Sequence, residues 1–367
     1  MSSLDSRIQY VADEIAEEIM LKLPVKSLVR FMCVSKSYYT LIRSSSFVSK
    51  HTRSVINRSK ENPSLVTVVH VRDGDDFDVR LLHRKYDEYN DFVVDIEEMC
   101  FMPPPTIEYE KKAEDFCHGL LCIHTAGICV LWNPSLMKAL EIPLPATRSV
   151  GSEFVGLCYD YVSHGYKLVF IEQTCFDARK AKVYELSKKE WRKISSSPAG
   201  DMQHHQPALV KGALHWVGVH DVTTRCLVIV FDVSSEVFGD MDLPFHASLS
   251  DKFSKVVSLG ESLACFYGHW DSKLWDIWVM KQYGVSSSWT KMFRLDLGVL
   301  RLSYPTLRLS KKNQLLVLKR NELLVFDTGN EKPVSCHSLG SLNTSLRTFE
   351  YMETLALLDY TTQRNYD

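Results

Sequence analysis

No phosphate-cradling GxxxxGK(S/T) loop, GxGxxG turn, GxSxG elbow or HExxH pair occurs anywhere in the 367 residues. The usual anchors of nucleotide, acyl-transfer and zinc-protease chemistry are therefore missing, and a non-catalytic protein with no cofactor is expected. No apolar run approaches the ~18 residues of a membrane span, and Met1-Ser2-Ser3-Leu4-Asp5 lacks a basic-then-apolar leader. A reducing compartment, cytoplasmic and/or nuclear, and no membrane partner follow as expectations. The ten cysteines include no CxxC pair and read as free thiols packed in strands. The densest metal-like cluster, Cys117, His118, Cys122, His124 and Cys129, reads as strand packing, and no metal is expected. In the same compartment, Asn57-Arg58-Ser59 and Asn343-Thr344-Ser345 would stay unglycosylated.

A strong net charge is also missing, at -2 overall, but the charge is unevenly spread. Residues 1–60 carry ten Lys/Arg and five Asp/Glu, whereas residues 61–116 carry six and fifteen. Nothing after residue 60 is basic enough to neutralise a row of phosphates, so no nucleic-acid partner is expected. The acidic stretch, densest at Asp73-Gly74-Asp75-Asp76-Phe77-Asp78, reads either as a solvated turn or as a lure for a basic protein.

What is present begins with a helical block. Val11, Ile15, Ile19 and Leu23 recur every four residues, with Asp13, Glu14, Glu17 and Glu18 opposite, which predicts an amphipathic helix with acids near its positive end. Pro24 stops it. Leu28, Phe31 and Met32 form a second stripe, and Val34, Tyr38, Leu41 and Ile42 a third. About 40 residues are too few to bury a core well, which points to a surface meant for a partner. An ordinary three-helix core without a partner stays open on periodicity alone.

Beyond residue 60 the pattern is β, repeating every ~45 to 50 residues. Val130-Leu131-Trp132-Asn133-Pro134, Val183-Tyr184-Glu185-Leu186-Ser187, Val230-Phe231-Asp232-Val233-Ser234 and Val325-Phe326-Asp327-Thr328-Gly329 each end a β-rich run at a polar turn. Each predicts the last hairpin of a four-stranded unit. One unit reads almost completely: Phe154 to Tyr159, Tyr166 to Glu172, Ala181 to Leu186 and Glu190 to Ile194. The fold class is therefore α plus all-β, a small helical unit followed by a β-propeller-like domain of about six four-stranded blades. Thr348 to Tyr351 and Thr354 to Leu358 are expected to complete a blade begun near Leu65 to Val71. A two-sheet sandwich or open β array is the alternative.

Leu23-Pro24-Val25-Lys26-Ser27-Leu28, followed by Phe31-Met32-Cys33-Val34-Ser35-Lys36-Ser37-Tyr38, resembles the F-box family. Val11-Ala12 and Tyr38 depart from it, standing where the family has Leu-Pro and Trp. Phe116-Cys117-His118-Gly119-Leu120-Leu121-Cys122, Trp132-Asn133-Pro134, Gly165-Tyr166-Lys167-Leu168 and Gly212-Ala213-Leu214-His215-Trp216 resemble the kelch-like F-box-associated domain of plants. True kelch blades carry a Gly-Gly pair, which this chain lacks. The division expected is an F-box at 8–52, a linker at 53–62 and a substrate-recognition propeller at 63–360.

The resemblance implies a substrate-recognition subunit of an SCF-type E3 ubiquitin ligase, docked on the Skp adaptor and through it on the cullin and RING subunits. Carried over residue by residue, the Skp contacts would be Leu23, Pro24, Val25, Leu28, Val34, Lys36 and Tyr38. A protein substrate would meet the loops at Asp73 to Phe77, Thr174 to Arg179, His204 to Gln206, His220 to Thr223, Trp270 to Lys273 and Asn330 to Lys332. Within them the candidates are Asp75, Asp76, Phe77, Phe176, His205, His220 and Trp270. Residues Ser35 to Phe47 are similar to S-locus F-box proteins, the pollen factors of self-incompatibility, whose basic S-RNase targets would suit the acidic stretch. A Skp-bound non-degradative regulator and a glycan-binding module stay open as alternatives.

Overall fold

The computed structural model describes residues 13–59, 64–73, 76–87, 92–99, 113–125, 127–146, 151–174, 179–203, 206–244, 252–269, 273–298, 306–309, 314–319, 322–327, 329–338 and 346–360. Four helices come first: α1 (Asp13–Met20), α2 (Val25–Phe31), α3 (Lys36–Arg43) and α4 (Ser45–Ser59). Pro24 ends one helix and opens the next, since its extended backbone (φ -61°, ψ 151°) places it at the N-cap of α2. Two serines punctuate the rest. The Ser35 hydroxyl accepts from the Tyr38 amide at 3.1 Å, and the Ser44 hydroxyl from the Phe47 amide at 3.2 Å, each satisfying an otherwise orphaned donor. Residues 53 to 59, expected as part of a linker, are the last two turns of α4.

The helices are tied together as well as packed. Lys50 pairs with Glu17 at 2.8 Å, and Arg58 donates to the carbonyls of Lys22 and Leu21 at the end of α1, where helix carbonyls lack partners. Met20, Val25, Leu28, Ile42 and Phe47 are buried between them.

Six antiparallel sheets follow among the described residues. Blade I pairs Leu346–Tyr351, Ser64–Asp73, Asp76–Asp87 and Phe92–Met99, and blade II comprises Ala113–Cys117, Leu120–Thr125, Ile128–Asn133 and Lys138–Pro143. Blade III runs through Gly151–Asp160, Gly165–Thr174, Lys180–Glu185 and Glu190–Lys193. In blade IV the first strand is split into Gly200–Met202 and Ala208–Val210, ahead of Ala213–His220, Cys226–Asp232 and Val237–Asp242. Blade V is Lys252–Leu259, Ser262–His269, Leu274–Met280 and Trp289–Asp296, and blade VI is Thr306–Leu309, Leu315–Lys319, Glu322–Phe326 and Ser335–Ser338.

The inner strands of neighbouring blades lie beside one another, and the Phe116 and Tyr351 rings meet edge-on across blades II and I. The sheets thus close into a ring, in which each blade keeps only its own edges. Closure uses both ends of the chain, with Ser64 opposite Tyr351 and Thr67 opposite Thr348. The expected closing strand is borne out for Thr348 to Tyr351. Thr354 to Leu358 is not a strand: it turns over the end of the ring, its carbonyls taken by the side chains of Asn133 and Lys138 instead of a sheet neighbour.

The hairpin phrases fall as expected between third and fourth strands. Tyr184 stands opposite Trp191 and Phe231 opposite Phe238, the latter rings 4.8 Å apart. Met137, Lys189 and Glu236 end the equivalent turns of blades II, III and IV with positive φ (52°, 58° and 59°), a repeated local solution in non-glycine residues. A buried ion cluster links two such turns. Lys167 Nζ of blade III lies 2.8 Å from Asp160 Oδ2 and 2.9 Å from Glu236 Oε1 of blade IV, and Arg192 joins Glu185 to Glu236.

Candidate functional site

The helical block exposes a concentration of apolar side chains. Of the fourteen large hydrophobics exposed among the described residues, six lie here: Ile15, Ile19, Val29, Phe31, Val34 and Tyr39. The stripe expected on α1 is outward at Ile15 (54% exposed) and Ile19 (53%). Ala16 and Met20, one position round the helix, face the core instead. On α3, Tyr38 is half-buried and meets the Phe31 ring edge-on at 6.1 Å, while Arg43 lies over the Tyr39 ring.

The expected Skp contacts divide into two groups. Pro24, Lys36 and Val34 (69% exposed) are at the surface, and Leu23 and Tyr38 are half-buried. Val25 and Leu28 are inside, at 1% and 0% exposed. They hold α2 against its neighbours and face no solvent. Ile15, Ile19, Val29, Phe31 and Tyr39 were not singled out as contacts, because an i, i+4 spacing marks a core face and a partner face alike.

The ring has two ends, distinguished by which hairpins emerge there. The first-to-second-strand turns (His118–Gly119, Tyr161–His164) and the third-to-fourth-strand turn Pro134–Met137 lie toward the helices. There the Arg53 guanidinium of α4 bonds the His164 ring, Leu136 packs on the helical core, and His118 bonds the Tyr161 hydroxyl at 2.6 Å. Antiparallel alternation puts the second-to-third-strand connections at the opposite end. The strands flanking Asp75, Phe176 and Trp270 hold that position in blades I, III and V, as the Asp221–Arg225 turn does in blade IV. Asn330 to Lys332, by contrast, follows a third strand and belongs with the helix-facing turns.

Asp75, Phe176, His205 and Trp270 lie outside the described residues, as do the side chains of Asp76 and Phe77 in their strand. His205 falls in the break of blade IV's first strand, not in a hairpin. His220 is described, and its Nδ1 accepts from the Val222 and Thr223 amides at 3.2 and 3.4 Å. It shapes its own turn and presents Val222, 85% exposed. Beside it Arg179 bridges Asp221 and Asp201. The Asp221 carboxyl is held below its ordinary range by the Arg179 hydrogen bond, and that same bond raises the Arg179 guanidinium. Sequence reading places Arg179 and Asp221 in candidate loops but does not join them with Asp201, because the three are 20 or more residues apart and meet only through strand pairing within blade IV and its stacking on blade III.

Chemistry at the cysteine cluster is unfavourable. Cys122 Sγ and Cys129 Sγ lie 3.3 Å apart in blade II. Their mutual hydrogen bond, with burial, pushes the Cys122 thiol well up, and burial does the same for Cys117, which keeps them protonated and inert. Among the described residues no group of three or more His, Cys, Asp or Glu side chains is arranged to hold a metal ion.

Comparison with known proteins matches residues 12–50 to the F-box domain and residues 76–355 to the F-box associated beta propeller domain. An F-box/kelch-repeat protein of Arabidopsis thaliana is 26% identical over 304 residues, covering 77% of this chain and 78% of its own. The F-box protein CPR1 of the same plant is 27% identical over 356 residues, covering 87% of this chain and 82% of its own. With its four helices set on a closed ring of antiparallel blades, the chain belongs to the family of F-box proteins that carry an F-box associated beta propeller domain.

Proposed function

We propose that the protein is the substrate-recognition subunit of an SCF-type E3 ubiquitin ligase, docking through its helices on Skp and, through Skp, on the cullin and RING subunits. The observation that carries this reading is the six exposed apolar side chains of the helical block, a concentration suited to a protein interface with charges at its rim. Val34, Phe31 and the outer face of α1 are the contacts. Val25 and Leu28 set the geometry from inside. The opposite end of the ring, with Arg179, His220 and Val222, receives the target protein. Held there, the target's lysines stay at high effective concentration near the conjugating enzyme. This mechanism asks no proton transfer of the chain itself.

The test is co-purification with Skp and cullin from the cytoplasm and nucleus. Val34→Asp together with Phe31→Asp should abolish it while the thermal unfolding profile is retained. Recovery of both partners with that variant would sink the reading. A narrower form, an S-locus pollen factor acting on basic S-RNases, draws on the fifteen acids against six bases in residues 61–116. It requires salt-sensitive capture of a basic S-RNase and fails if none is retained. Stable levels of every bound partner would instead favour a non-degradative regulator, and binding on a glycan array would favour a glycan-binding module.

A further inference from the structure

The segment after the closing strand builds part of the F-box itself. Leu355 and Leu358, 0% and 6% exposed, lie in one apolar cluster with Met20, Val25, Leu28, Ile42 and Phe47. The small helical core is thus completed from the other end of the chain. Met352–Tyr360 is neither helix nor strand, so its path must be imposed by other groups. Blades II and III supply them. The fully buried Asn133 side chain donates to the carbonyls of Thr354 at 2.9 Å and Ala356 at 2.6 Å. Its own orientation is fixed by accepting from the Ser135 amide at 2.9 Å. Lys138 Nζ donates to the carbonyls of Leu358 and Tyr360 at 2.7 and 3.2 Å, and the Tyr360 hydroxyl donates to the Leu186 carbonyl. On the helical side Asp359 pairs with Arg43 of α3 at 3.4 Å.

Gly119 shows how closely the segment is seated. A Cβ there would lie 2.7 Å from the Met352 carbonyl oxygen and 2.6 Å from the Thr354 hydroxyl, so the blade II turn admits only a residue without one.

We infer that Met352–Tyr360 is a clasp that makes the docking-competent fold of the F-box conditional on closure of the propeller ring. Leu355 and Leu358 reach the helices only when Leu346–Tyr351 has paired with Ser64–Asp73 and Asn133 and Lys138 have taken the segment's carbonyls. An adaptor with an open ring would present α2 and α3 without their full core and would not hold Skp. The consequence for Skp rests on the function proposed above; the coupling between ring and helices does not.

Hydrogen exchange on the full chain separates the two. In Leu358→Asp, amides of α2 and α3 should exchange at least about 10-fold faster, while Leu274–Met280 of blade V keeps its protection, and Skp affinity should fall by about 10-fold or more. Unchanged exchange in α2 and α3 overturns the inference. If blade V also loses protection, Asn133→Ala decides, because its amide touches the clasp and not the helices. Faster exchange in α2 and α3 with blade V intact then supports the inference, and unchanged exchange overturns it. Should the unaltered protein fail to bind Skp, the functional reading falls while the exchange result still stands for or against the clasp.

Discussion

Lys167 and Glu236 lie in different blades, yet their side chains meet at 2.9 Å with both largely removed from solvent. The Lys167 ammonium also holds Asp160 at 2.8 Å and donates to the Val233 carbonyl at 3.0 Å, so every proton of the amine is used. Replacing it with Lys167→Met would leave two carboxylates facing one another in a nearly dry site. The expected loss is about 3–5 kcal/mol, read as a fall in the midpoint of thermal or urea unfolding. A change under about 1 kcal/mol would mean the cluster is solvated in solution.

The same cluster fixes the acid limit of the fold. Burial alone would raise the Asp160 carboxyl, but Lys167 and hydrogen bonds from the Val162 amide, Ser163 and Ser234 outweigh it and hold the group well below its ordinary range. A depressed acid contributes stability in full above its unfolded pKa and loses it as the pH falls through the folded value. Lys167 is raised by its two carboxylates against the effect of burial, so its contribution is complete below the unfolded lysine value and declines only above it. Unfolding midpoints should therefore show no pH dependence from this cluster between pH ~5 and ~9, where its contribution is complete, and a decline from it below pH ~4.

A second titration falls nearer neutrality. His215 is fully buried between blades, with Nδ1 3.0 Å from the Ala208 carbonyl and Nε2 2.9 Å from the Tyr283 hydroxyl. The carbonyl can only accept, which places the proton on Nδ1 and makes Nε2 the acceptor for Tyr283. Burial lowers this imidazole to about 4, so between about 6.5 and 4 the unfolded chain binds a proton that the folded one refuses. Stability should fall with decreasing pH in that window by about 1.4 kcal/mol per unit at most. His215→Asn should flatten that slope, and an unaltered slope would place its origin elsewhere.

Within the F-box, exposed and buried apolar residues should behave oppositely on substitution. Leu28→Ala empties a fully buried site and should cost about 2–5 kcal/mol of stability. Val34→Asp should cost under about 0.5 kcal/mol, yet remove Skp from a co-purification. Equal effects of the two on stability would place Val34 inside a core that the structure does not show.

The outline of this fold was legible because local chemistry and global architecture agree. Leu23 to Leu28 marked the helix–Pro–helix junction, and the aromatic–Asp/Asn–turn phrases located the outer hairpins of successive blades. Blade III was readable almost strand for strand. What escaped was set by distant parts of the chain. Thr354 to Leu358 carries strand-like apolar residues, but Leu355 and Leu358 are spent on helices some 300 residues earlier. Ile15 and Ile19 have the spacing of a core face and point outward. Ser35 and Ser44 cap helices through bonds that depend on backbone direction, which residue type alone does not give. The Arg179–Asp221–Asp201 grouping exists only because blade IV stacks on blade III.

Pairing Ser64–Asp73 with Leu346–Tyr351 also sets a clock on biosynthesis. The second strand of blade I is made well before its inner neighbour, so on a ribosome adding ~5–20 residues each second the wait is roughly 15–60 s. Throughout it one flank of a β-strand rich in valine, Leu65-Val66-Thr67-Val68-Val69, has no native neighbour to occupy its amides and carbonyls. Such an edge recruits other strands, and contacts so far apart in sequence form slowly. Newly made chains should therefore depend on a chaperone that shields this edge until Leu346–Tyr351 has emerged, and yield in cells should respond more to the rate of chain elongation than to the stability of the finished ring.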